Sequence, residues 1–458
     1  MKRSSRPIMA ALSGLLLSLV GCNHDQFPSY SLSLKYPLRQ DPILMKLPAE
    51  LGDERYDPDT PGQFPLMHFD DILKPGNPLE PKAKEIKDKE ILRDPTKLST
   101  KEKNELEAAL EEIFGTPAIP MVNAQVAGLD AKTIEILKID NDTLAKGSTR
   151  YRVHCLHCHG VAGDGRGPTA RWINPHPRDF RSGLFKFQSV NQIDSKPGEK
   201  IEHKNGTRPP ARADLIRTLR NGLEGTAMPS FALLEDKELE WIVSYVIHLS
   251  IRGQVERDLL KSSSFAYDAK KDTLSFHVDP EDEEAPPTIA AAVKAQTQYT
   301  AEKSYRALRA PAEDRSWLFS QKPELAIHPE PYPAEFADEG ELAASRLRGK
   351  YLFTGDETKY KGAKNANCVS CHVDFGRQAK FRFDEWATLV RPNNFTAGTF
   401  RGGRRPVDMY YRIHSGINGS GMTNFGGALK GKEIWDIINF VSALPYPAMQ
   451  KQVGIVAN

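Results

Sequence analysis

Apolar residues recur at helical spacing in two stretches that read alike. In "DKELEWIVSYVIHLS", Leu239, Ile242, Val243, Val246 and Leu249 fall on one helix face. In "KEIWDIINFVSAL", Ile434, Ile437, Ile438, Val441 and Leu444 do the same. "NDTLAKGSTRYRVHC" and "GELAASRLRGKYLF" predict an earlier helix ahead of each. "LSTKEKNELEAALEEIFGTP" predicts one more, with Thr100 as N-cap and Gly115-Thr116-Pro117 as the stop. Between these, periodicity is weak. Residues 23 to about 100 are polar and proline-rich and read as a tether or extended arm. The stretch after residue 252 mixes an acidic run, "DPEDEEAPP", with helix-prone "IAAAVKAQTQYTAEKSYRAL", and reads as a partly helical linker.

The first residues follow another pattern. Lys2, Arg3 and Arg6 precede a short apolar run, "PIMAALSGLLLSLVG", which is too short for a permanent membrane span. A basic start and a short apolar core mark a secretory signal peptide. Beyond Cys22 no stretch is long and apolar enough to span a bilayer. Composition adds one exclusion: among 458 residues, 62 Lys and Arg nearly cancel 60 Asp and Glu, so no strong field favours nucleic acid. Thirty-three prolines and thirty-three glycines fit long irregular stretches between small cores.

The chain has five cysteines, and four stand in two pairs of equal spacing. These are Cys155-Leu-His-Cys158-His159 and Cys368-Val-Ser-Cys371-His372. In an exported protein two disulfides are conceivable, but a disulfide gives no reason for the histidine after each pair. Cys-x-x-Cys-His is the pattern of c-type haem attachment, in which two thiols take up the vinyl groups and the next imidazole lies under the iron. A thioredoxin-like pair leaves the histidine equally unexplained. A zinc site of two Cys and two His is the other alternative, and duplication together with export argues against it.

The surroundings repeat as well. "GLEGTAMPSF" and "GINGSGMTNF", aligned on Met228 and Met422, share Gly at −6, Leu/Ile at −5, Gly at −3, Thr/Ser at −2 and Phe at +3. "PRDFRSGLF" (from Pro177) and "PNNFTAGTF" (from Pro392) share Pro, Phe, Gly and Phe. Asp214 and Asp408 precede the Met loops at one offset, where each could cap a short helix, and Trp241 and Trp435 follow at another. A duplicated unit explains these coincidences. It resembles the class I-type cytochromes c of bacteria, over roughly 140–252 and 343–450. The resemblance implies a mainly α fold with two cytochrome c-like helical domains. It implies haem-binding roles for Cys155, Cys158, His159 and Met228, and for Cys368, Cys371, His372 and Met422. His159, Met228, His372 and Met422 would be iron ligands, and the cofactors two covalently bound haem c. A thioether is soft and neutral and raises the potential relative to a second imidazole. The loop glycines would let backbone approach the macrocycle. Pro168 matches the family proline whose carbonyl accepts the proximal imidazole N–H. The second copy lacks the Gly-x-Gly-Pro that surrounds it, so an altered proximal loop is expected there.

Leu19-Val20-Gly21-Cys22 resembles the lipobox of a bacterial lipoprotein, which implies lipidation of Cys22 and a lipid-anchored protein on the periplasmic face of a membrane. The organisation read from the chain is a signal peptide over 1–21, an N-terminal arm with one helix over 22–139, haem domains over 140–252 and 343–450, and a linker over 253–342. His154 and His157, beside the first motif, read as facing solvent or a propionate, and His176 and His203 are rival ligands in the first domain. His414, at the position of Arg220 in the other copy, and Arg171, Trp172, Arg178 and Arg181 are candidates for propionates or solvent. No catalytic residues emerge, and an electron carrier with redox-protein donors and acceptors is the expectation. A cytochrome subunit of a terminal oxidase or dehydrogenase, and a dihaem peroxidase with one open iron, are the alternatives.

Overall fold

The computed structural model describes residues 30–44, 91–191, 208–268, 270–301, 316–380, 382–386 and 388–455. The predicted signal peptide, Cys22 and His203 lie outside them. The chain is mainly α. Two-residue and three-residue strands β1 (Ile43–Leu44) and β2 (Ile91–Arg93) pair antiparallel. There follow α1 (Thr100–Phe114), α2 (Ala124–Ala127), α3 (Ala131–Leu137), α4 (Asn141–His154), α5 (Leu156–His159), α6 (Arg212–Asn221) and α7 (Asp236–Lys261). A hairpin, β3 (Phe265–Asp268) and β4 (Thr273–Phe276), leads to α8 (Ile289–Ala301). The remainder holds α9 (Glu339–Thr354), β5 (Arg382–Phe383), β6 (Leu389–Val390), α10 (Pro406–Ser415), α11 (Gly431–Ala443) and α12 (Pro447–Gln452).

The helix ends obey local rules. Ser99, not Thr100, caps α1: its hydroxyl accepts the Glu102 N–H (3.2 Å) and the Glu102 carboxylate accepts the Ser99 N–H (3.0 Å). Gly115 stops that helix, as expected. Asp140 caps α4 through the Thr143 N–H, and Asp338 caps α9 through the Glu341 N–H. Asp214 and Asp408 sit one turn inside α6 and α10 rather than at the N-cap; Asp214 reaches back to the Ala211 N–H at 3.1 Å.

Two hydrophobic cores form. In the first, α4 crosses α7, burying Leu144, Tyr151, Leu239, Ile242, Val243 and Leu249. In the second, α9 crosses α11, burying Leu352, Phe353, Ile434, Ile437, Phe440 and Val441. Each crossing turns on a glycine. A Cβ on Gly147 would stand 2.2 Å from the Trp241 carbonyl oxygen, and one on Gly349 would stand 2.0 Å from that of Asp436.

The arm and the linker depart from expectation. Among the described residues neither is a spacer. Tyr36 and Ile43 of the arm, Leu106, Leu110 and Phe114 of α1, Ile289 and Val293 of α8, and Trp317 all join the first core. They cover the side of α7 that α4 leaves open. So α7 runs on to Lys261 and is buried on every face from Ile242 to Glu256. A helix buried all round must satisfy its polar groups internally. Tyr245 shares a hydroxyl–hydroxyl bond with Tyr36 (2.9 Å), Gln254 accepts the Trp317 indole N–H (2.8 Å), and Glu256 accepts the Arg39 backbone N–H (2.6 Å). The second unit also runs past residue 450, with Val453 and Ile455 in its core.

Candidate functional site

In the first unit α4 ends at His154 and α5 carries the motif. The Cys155 N–H donates to Tyr151 (2.8 Å) and the His159 N–H donates to Cys155 (2.9 Å). The buried Tyr151 hydroxyl donates to the Gly160 carbonyl (2.8 Å), pinning the turn after the motif. His159 Nδ1 stands 2.9 Å from the Arg178 carbonyl oxygen. A carbonyl only accepts, so Nδ1 carries the hydrogen and Nε2 keeps its lone pair. Phe180 stacks on the imidazole, centroids 4.6 Å apart and planes 22° apart. Burial holds His159 neutral, its pKa pushed down to about 4, and pushes the Cys155 thiol up to about 12.

The second unit reaches the same arrangement by another path. Its helix α9 stops at Gly355, well short of the motif, and Cys368–Ser370 form a single 3-10 turn. The His372 N–H still donates to Cys368 (2.9 Å). His372 Nδ1 donates to the Asn393 carbonyl (3.1 Å), and Phe395 packs on the ring at 4.7 Å. Burial again raises the first thiol, Cys368, to about 12. Arg178 and Asn393 each follow the shared proline, Pro177 and Pro392. The expectation for Pro168 is therefore corrected: the acceptor is the Arg178 carbonyl. The loop after His372 does differ, with Asp374 and Phe375 at positive φ (50° and 58°), yet the hydrogen bond that orients the imidazole is the same in both copies.

The methionine loops match bond for bond. The Leu223 N–H donates to Met228 O (3.1 Å) and the Ile417 N–H to Met422 O (3.1 Å). The Thr226 hydroxyl donates to Leu223 O (2.8 Å) and accepts the Met228 N–H (3.1 Å). Ser420 does likewise with Ile417 O (2.8 Å) and Met422 N–H (3.4 Å). This explains the hydroxyl shared at −2. The loop glycines also shape the loops and their contacts. Gly222 and Gly416 take φ of 67° and 72° at the ends of α6 and α10, where a Cβ would strike the backbone after or at the methionine. Gly225 abuts Thr399 and Gly419 abuts the Trp386 ring, so both serve contact between segments.

All eight predicted haem-binding residues line one cavity of about 910 Å³ that spans both units. Its size falls at the upper end of the ~300–1,000 Å³ usual for ligand sites. The thiols, the imidazoles, the thioethers and a largely apolar lining suit a flat macrocycle, and the half-buried cations Arg178, Lys186, Arg401 and Arg412 suit its propionates. Among the described residues no three His, Cys, Asp or Glu side chains converge as a zinc site requires. His154, His157 and His176 line the cavity; His176 is tied to the Pro177 carbonyl (3.0 Å). His414 is not among the lining residues and stacks on Tyr410. Arg171 lies over the exposed Trp172, and Arg181 belongs to a buried ion cluster with Asp41 and Asp179. Of those four candidates only Arg178 reaches the cavity. Phe180, Phe395, Lys186 and Arg401 escaped the sequence reading of roles, although the repeat placed each pair at a common offset.

Residues 142–246 match the family model of cytochrome c oxidase, cbb3-type, subunit III. No curated protein sequence matches the chain. A solved structure of the Kuenenia stuttgartiensis reducing HAO-like protein complex is 20% identical, covering 65% of this chain and 95% of that one, with a TM-score of 0.39. The matched segment runs from α4 to the middle of α7 and holds Cys155, Cys158, His159 and Met228. That segment is similar to the c-type cytochrome domain the family model describes.

Proposed function

We propose that the chain is a dihaem c-type cytochrome, anchored to a bacterial membrane through Cys22, that passes electrons between redox proteins on the periplasmic side. Haem c, when bound, supplies a one-electron iron couple. The residues that would hold it are two equivalent sets. Cys155 and Cys158, and Cys368 and Cys371, would form the thioethers. His159 and His372 would ligate through Nε2, each ring held from behind by a backbone carbonyl and a stacked phenylalanine. Met228 and Met422 would supply sulfur from loops fixed by Thr226 and Ser420. Held by histidine and methionine together, the group would leave no position for a substrate, which favours electron transfer over peroxidase chemistry. The observation that carries the reading is that both sets line one cavity in matching hydrogen-bonded frames.

Haem content tests it. The purified chain is expected to hold two haems resistant to acid extraction, and the paired change Cys368→Ala, Cys371→Ala to leave one. A single haem in the unaltered chain overturns the dihaem reading. Cys22→Ala is expected to release the protein from the membrane fraction; retention there refutes the anchor.

The match to an oxidase subunit favours a second reading, in which the chain is the cytochrome subunit of a larger oxidoreductase. Stoichiometric partner subunits after gentle purification would select it.

A further inference from the structure

The turn behind His159 is held from a distant part of the chain. Arg178 gives the carbonyl that accepts the imidazole N–H, and Phe180 stacks on the ring. Asp179, between them, caps the 3-10 turn Phe180–Ser182 by accepting the Arg181 N–H at 2.9 Å. The Arg181 guanidinium grips the Asp179 carboxylate with two bonds, of 3.0 and 2.7 Å. The same guanidinium donates to Asp41, in the N-terminal segment 30–44, at 2.9 Å. Asp41 pairs in turn with Arg39, whose backbone N–H donates to Glu256 of α7 at 2.6 Å. Arg39, Asp179 and Arg181 are buried, and Asp41 is half-buried.

Helix α7 supports the same turn. A Cβ on Gly253 would stand 2.4 Å from the Arg181 Cβ, and Arg257 donates to the Ser182 carbonyl at 3.0 Å. The second unit settles its turn locally. Asn394 and Thr396 stand at the offsets of Asp179 and Arg181, and the Asn394 side chain accepts the Thr396 N–H (3.0 Å) and hydroxyl (2.7 Å). Carboxylates and guanidiniums thus serve one repeat, and neutral groups the other. Buried ion pairs add little net stability over apolar packing, so the reason to keep them is sought in geometry.

We propose that Arg39, Asp41, Asp179 and Arg181 form a clamp by which the N-terminal segment positions the Arg178 carbonyl against His159, and so sets the potential of the first haem but not the second. This rests on the dihaem reading. The four are positioning residues: none lines the haem cavity. A firm N–H···O=C bond makes the imidazole a more basic ligand, which favours the ferric state. Loosening the clamp weakens that bond and raises the potential.

The test uses Asp41→Asn and Arg39→Met in the full chain, with spectroelectrochemical titration, haem content and hydrogen exchange measured on the same samples. The two changes remove opposite charges. Charge alone drives the potential up in the first and down in the second; a clamp drives it up in both. Asp41→Asn is expected to raise the reduction equilibrium constant of one haem by about tenfold, or 59 mV for one electron, and Arg39→Met to raise it by less. Asp41→Glu, which keeps the carboxylate, is expected to shift it least. The couple that moves should be the one retained by the Cys368→Ala, Cys371→Ala chain. Hydrogen exchange should quicken over residues 178–183 and stay unchanged over 393–398, a readout that needs no bound haem. A fall or no change in potential in Arg39→Met, equal movement of both couples, or unchanged exchange over 178–183 overturns the clamp. One haem in the unaltered chain overturns the dihaem reading and leaves exchange to judge the clamp.

Discussion

Thr226 and Ser420 do the same work with unequal bonds. The Thr226 hydroxyl accepts the Met228 N–H at 3.1 Å, whereas the Ser420 hydroxyl accepts that of Met422 at 3.4 Å. Removing such a bond costs about 1 kcal/mol, close to fivefold in an equilibrium. Thr226→Val is therefore expected to raise the affinity of the ferric protein for added imidazole by about fivefold, and Ser420→Ala by less. Optical titration reads both, and equal effects would contradict the geometry. Tyr151 makes a related case. Its hydroxyl is the buried donor to Gly160 O, so Tyr151→Phe leaves a buried acceptor unpaired and should cost about 1–3 kcal/mol in thermal unfolding. The residue scale is also where sequence was most informative. The −2 hydroxyl, the shared proline and the shared phenylalanine were visible as offsets, but their tasks were not, because a carbonyl acceptor such as that of Arg178 leaves no mark on side-chain identity.

At the scale of elements, the crossings of α4 with α7 and of α9 with α11 depend on the absence of a side chain. Gly147→Ala gains about 1 kcal/mol of helix propensity. It then drives a methyl to 2.2 Å from the Trp241 carbonyl, a clash with backbone that cannot yield cheaply. The net expectation is destabilisation by about 1–3 kcal/mol, seen as a lower unfolding temperature. The far side of α7 titrates. His248 is buried against Tyr36, Phe114 and Tyr245, and burial, helped by the Arg252 charge, pushes its pKa down to about 3. The folded state therefore excludes a proton that the unfolded state binds below about 6.5. Its contribution is complete above that pH and is lost as pH falls from there toward 3. Unfolding temperatures measured across that window should fall, and His248→Leu should flatten the slope. Helix α7 shows where pattern reading stopped. Its apolar stripe was legible, yet a stripe does not reveal that residues 30–44, α1 and α8 cover the opposite face.

Across the whole molecule the contact between the two units decides how the halves behave. Trp386 donates its indole N–H to Ser182 (2.7 Å) while Arg178 lies on its ring, and Arg404 pairs with Glu224 at the rim. The rim pair is exposed and contributes little; the buried tryptophan contributes most. Trp386→Ala is expected to cost about 3–5 kcal/mol and to split calorimetric unfolding into two transitions. A single unchanged transition would mean that the halves are coupled elsewhere. What the amino-acid order determined alone is local and repeated: the paired Cys-x-x-Cys-His motifs, the methionine loops and the apolar faces, since each depends on residues a few positions apart. Only the tertiary structure decided that an apparent arm and linker are core, that Arg178 rather than Pro168 backs the imidazole, and that Lys186 and Arg401 line one cavity. Those outcomes hinge on which distant surfaces exclude water together, and burial of that kind is a property of the assembled chain.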